Sequence, residues 1–131
     1  MELSKYSRNN ILRTFERWEV PKEYADPMYN YLVHGFSPGS FFTALLANDA
    51  MGAIQSSHPG NTIPALKNLT GWMGECCPYV ARGSYENVRA WLEFTVEKRQ
   101  DILEQHGLVF NKDQELILML KNEPTVEPIL W

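Results

Sequence analysis

The sequence of 131 residues predicts an all-α fold, a compact bundle of five to six helices around a central apolar helix, and three features carry that prediction. Two Gly-Ser steps, Pro38-Gly39-Ser40 and Arg82-Gly83-Ser84, each stand directly before a run of helical apolar pattern. Glycine turns the chain sharply, and a serine hydroxyl can take a free backbone N–H of the helix that follows, so both steps are helix starts. From Ser40 to about Ser56 the apolar residues, Phe41, Leu45, Leu46, Met51 and Ile54 among them, go all round the axis, which places residues 40–56 in the dry middle of the bundle. Elsewhere prolines and glycines end the periodic runs.

The first helix covers about Ser7 to Glu19, with Ile11, Leu12, Phe15 and Trp18 at helical spacing, and ends before Val20-Pro21 because the residue before proline leaves the α region. Asp26-Pro27 reads as the start of a short second helix that Gly35 closes. After the central third helix, His58-Pro59-Gly60 breaks the pattern and Asn61 can cap a fourth, clearest from Ala65 to Cys76 and stopped by Pro78. The fifth runs from Ser84 to Gly107, with Val88, Trp91, Leu92, Val96 and Leu103 on one side and Glu86, Glu93, Glu97 and Glu104 on the other. Residues 108–120 fit either a short hairpin or a final helix from Asp113, and leucine and methionine favour helix. Residues 1–122 therefore read as one helical domain and residues 123–131, with Pro124 and Pro128, as an extended tail.

Composition narrows the function. The formal net charge is −4, from 16 acids and 12 bases, so there is no basic surplus to neutralise a phosphate backbone, and nucleic acid is not an expected partner. No apolar run approaches the length of a membrane span, and Met1-Glu2-Leu3-Ser4-Lys5-Tyr6 is not a charged leader, so the expected location is the cytoplasm. Cys76 and Cys77 are sequence neighbours that cannot close a useful loop, and they read as reduced thiols. With His34, His58 and His106 scattered, no metal-ligand spacing exists and no cofactor is implied. No serine or cysteine falls in a strand-turn-helix elbow, so no catalytic residue is named and an enzyme is unsupported.

The candidate ligand site is the pair of helix starts. Free N–H groups at Ser40 and Ser84, converging with Arg82 and His34, would form a phosphate-sized pocket. Asn48 and Asp49 interrupt the apolar third helix, so at least one of them faces packed protein. Asp49 then needs a helix start or an arginine, and Arg99, within the apolar arc of the fifth helix, is its natural internal partner. His34, at a helix end, is expected to be favoured as the protonated imidazole. The candidate partner surface is the acidic face of Glu86, Glu93 and Glu97 together with the terminal Trp131, which either tucks onto the domain or offers an apolar peptide to another chain.

One pattern is familiar: Tyr31, His34-Gly35, Pro38-Gly39-Ser40-Phe41-Phe42, Ala44-Leu45-Leu46, Asn48-Asp49, then Gly83-Ser84, Glu86-Asn87 and Trp91-Leu92. Over roughly Asp26 to Leu92 the chain resembles a family of small uncharacterised proteins of tailed bacteriophages and prophages. It departs from that family at Ser57-His58-Pro59, where Arg-Ala-Asp is usual, and in its extension after Leu103. The resemblance implies an accessory protein of the host cytoplasm that binds and inhibits a host or defence protein. The alternative is a binder of a phosphate-bearing small molecule or nucleotide signal, held between subunits of a homo-oligomer.

Overall fold

The computed structural model describes residues 2–57 and 60–122, and every regular element among them is helical. In chain order these are α1 (Lys5–Arg17), α2 (Lys22–Tyr29), a π-helical turn (Asn30–His34), α3 (Ser40–Leu46), α4 (Ala50–Gln55), α5 (Ile63–Cys76), a 3-10 turn (Tyr79–Ala81), α6 (Tyr85–Glu93), α7 (Val96–Gln105) and α8 (Lys112–Asn122). The all-α expectation holds, and the ambiguous stretch 108–120 forms a helix from Lys112, with no strand among the described residues. None of the described helices is long and apolar enough to cross a membrane. The expected tail 123–131 lies outside the described residues.

Local chemistry sets most boundaries. Ser4, Thr62, Ser84 and Thr95 each accept a backbone N–H of the helix they open, at 3.1–3.3 Å. Asn111 and Gln114 cap reciprocally, each side chain accepting the other's backbone N–H, and so start α8. The second helix begins earlier than Asp26-Pro27 suggests: Pro21 opens it and Pro27 lies inside. Proline has no N–H to give the carbonyl four residues back, and the rod shifts into π geometry three residues later before Gly35, at φ +66°, ends it.

The central helix 40–56 is two helices. Asn48 takes a left-handed conformation at φ +63° and Asp49 caps a new helix by accepting the Gly52 N–H at 2.9 Å. The segment is also not the dry middle, because Met51 and Ile54 are 70% and 71% exposed and only Ala44, Leu46, Ala47 and Ala53 are buried. The fifth helix is likewise divided at Phe94-Thr95 into α6 and α7.

The core instead gathers around Tyr31, Trp72 and Trp91, with Ile11, Met28, Leu69 and Leu103. Each of the three large aromatics buries its ring and satisfies its polar end. Trp72 Nε1 donates to Thr14 Oγ1 at 2.9 Å, and Phe15 stacks on its ring at 4.6 Å, tying α1 to α5. Trp91 Nε1 donates to the Tyr31 carbonyl at 3.0 Å and Tyr31 donates its hydroxyl to the Ala81 carbonyl at 2.6 Å, so α6, the π turn and the 3-10 turn are joined through one residue.

Candidate functional site

The two Gly-Ser steps share a positive-φ glycine and differ after it. Gly39, at φ +92°, itself occupies the cap position of α3, which leaves Ser40 exposed and its hydroxyl outside the capping role. Gly83, at φ +99°, precedes a true serine cap, the Asn87 N–H donating to Ser84 Oγ at 3.1 Å. The Gly83 N–H donates to the Leu46 carbonyl at 2.7 Å, so the start of α6 abuts the C-terminal end of α3. Ser40 stands at the opposite end, about 9 Å of helix away. The two sets of free N–H groups therefore do not converge.

Of the six residues expected to hold a ligand, the structure brings Asn48, Asp49 and Arg82 to one cleft of about 460 Å³, beside Leu46, Thr70 and Met73. Ser40, Ser84 and His34 are not part of that lining. Arg82 is already engaged there: Nε donates to the Cys77 carbonyl at 3.0 Å and Nη2 to the Gly74 carbonyl at 3.3 Å, which satisfies the C-terminal end of α5. Asp49 accepts from Tyr85 and from the Gly52 N–H, and these two bonds hold its carboxyl below the usual range. A cleft that pairs one committed guanidinium with one carboxylate has no surplus of positive charge for a phosphate.

Asp49 and Arg99 do not meet. Arg99 is buried as its place in the apolar arc implied, but its guanidinium donates to the carbonyls of Phe94 and His34, and its Nε finds no partner among the described residues. It thus binds the carbonyl ends of α6 and of the π turn, where helix dipoles are negative. The expectation for His34 also changes. Burial, with the positive charge of Arg99 beside it, lowers the imidazole pKa, so the neutral ring is favoured, stacked on Phe36 at 5.4 Å. Cys76 and Cys77 are buried free thiols, and burial pushes Cys77 up to about 12, away from nucleophilic use at neutral pH.

Glu86, Glu93 and Glu97 are exposed, but the break at Phe94-Thr95 assigns the first two to α6 and the third to α7, so the acidic stripe is not continuous. Trp131 lies outside the described residues. Among the described residues no cluster of three or more His, Cys, Asp or Glu side chains could hold a metal ion.

Sequence reasoning missed an apolar groove of about 420 Å³ between α3, α4 and the first half of α5, lined by Phe41, Leu45, Ala50, Ala53, Ile54 and Leu66, with Ser57 and Asn61 as its polar members. Phe41 and Asn61 also line a neighbouring cleft that reaches Tyr24 and Phe42. The Asn61 amide is held on both sides, accepting from the Tyr24 hydroxyl at 2.6 Å and donating to Ser57 at 3.0 Å, so the two polar side chains of the lining are tied to each other. Met51, one turn before Ile54, and Ile63 at the start of α5 add exposed apolar surface nearby in the chain. The signal in the sequence was Asn48-Asp49, whose break turns α4 and bares its apolar side.

Comparison of the chain with family models, with curated proteins and with solved structures gives no match, so the site is read from geometry alone.

Proposed function

We propose that the chain is a small phage-type accessory protein of the host cytoplasm that binds and inhibits a host or defence protein, with the groove between α3, α4 and α5 as its docking site. The observation that carries this reading is the groove's composition: six of its eight lining side chains are apolar, and Ile54 among them is itself 71% exposed. Apolar surface gathered into a concavity on a chain of net charge −4 is suited to an inserted hydrophobic segment of a protein partner.

The test is affinity capture from lysate of a bacterial host. The full chain is expected to retain a stoichiometric protein partner, and Ile54→Glu is expected to cut recovery roughly tenfold or more while leaving Tm nearly unchanged, since the side chain is largely in water already. Equal recovery by both chains, or no partner for either, overturns the docking reading.

A further inference from the structure

Helix α8 carries an apolar stripe that points away from the other described elements. Its N-terminus is held firmly: Asn111 and Gln114 cap it, the Phe110 N–H donates to Ser7 Oγ at 2.8 Å, and Asn10 Nδ2 donates to the Gly107 and Leu108 carbonyls. On the helical wheel the partly buried residues Glu115 and Leu118 mark the side turned toward the domain. Asp113, Leu116, Ile117, Leu120 and Lys121, spaced i, i+3, i+4, i+7 and i+8, form the opposite side. Leu116, Ile117 and Leu120 are 55%, 54% and 65% exposed.

The charges at the two ends of this stripe say what covers it. Asp113 and Lys121 each stand four residues from Ile117, one acidic and one basic. When a second copy of the same helix lies antiparallel with its two-fold axis at Ile117, each Asp113 comes level with the partner copy's lysine and the apolar triads face each other. A parallel pair would instead set like charge against like. We propose that the outer face of α8 is a self-association surface, on which two copies of the chain pair antiparallel about Ile117.

A three-turn helix pair buries less than the roughly 1,200 Å² at which stable specific interfaces begin, so the dimer is weak. Sedimentation velocity of the full chain from roughly 10 µM to 1 mM is expected to show a monomer–dimer equilibrium, which Ile117→Glu weakens tenfold or more. Asp113→Lys and Lys121→Asp, each alone, are expected to be monomeric, and an equimolar mixture of the two to recover the dimer, because the heteropair restores both opposite-charge contacts. Far-UV circular dichroism verifies that each variant keeps its helix. A full chain that stays monomeric to 1 mM, or a dimer indifferent to Ile117→Glu, overturns the proposal. So does a dimer formed only by a chain ending at Asn122, since residues 123–131 would then be the occupant of the face.

Discussion

Arg99 shows at a single residue how far side-chain pattern reaches. Its position in the apolar arc forecast burial, and burial is what the structure has. The forecast partner, Asp49, was wrong because the acceptors are main-chain carbonyls, and every residue has one. The guanidinium lies directly over Gly35, where an added Cβ would come within 2.7 Å of Arg99 Cζ and Nη1. Gly107 offers a matched control, with a similar φ of +72° and nothing within 4 Å. Alanine at Gly107 meets only the left-handed backbone penalty, about 1–2 kcal/mol. Gly35→Ala is expected to add about 1–3 kcal/mol to that, because the guanidinium must leave one or both carbonyls that it satisfies. Urea denaturation of the two variants decides it: equal losses would mean that Arg99 does not hold the π turn.

At the scale of elements, the ends were more legible than the interruptions. Gly35, the Ser84 cap and the stop of α5 before Pro78 follow from residues with one dominant conformational role, and those positions are where the structure has them. The breaks at Asn48-Asp49 and Phe94-Thr95 escaped because asparagine, aspartate and threonine are tolerated inside a helix and are also good at ending or starting one. Propensity separates those roles by only a few tenths of a kcal/mol, and the choice is made by contacts distant in sequence, here the Tyr85 hydroxyl on Asp49 and the Gly83 N–H on the Leu46 carbonyl. The groove depends on the first break, so a sequence reader who keeps residues 40–56 as one rod cannot find it. The exposed, left-handed Asn48 is the residue to test. Asn48→Gly is expected to leave stability unchanged or slightly raised. Asn48→Val is expected to cost about 1–3 kcal/mol by urea denaturation, since a β-branched side chain resists positive φ. Equal stability of the two variants would show that α3 and α4 do not need the turn.

For the molecule as a whole, the three buried aromatics make one unit from elements far apart in sequence. Trp72 joins α5 to α1 through Thr14 and Phe15, and Tyr31 joins the π turn to α6 and to the 3-10 turn. Opening any of these elements exposes a tryptophan or orphans a buried donor, so they are expected to open together, at close to the global free energy of unfolding. Helix α8 stands apart from that network. Among the described residues it is absent from the buried core, whose last member is Val109, and most of its side chains are exposed. Its cap and the Ser7 bond fix where it starts without burying its length. Amide hydrogen exchange on dilute protein, where association is negligible, is therefore expected to protect α5 and α6 alike and to leave α8 exchanging at least about tenfold faster, since its opening removes little apolar burial. Raising the concentration into the range where two copies pair should slow exchange in α8 alone. Protection of α8 equal to that of α5 in dilute solution would mean that its exposed leucines are covered within one chain, and the division between a rigid core and an outward-facing helix would fall.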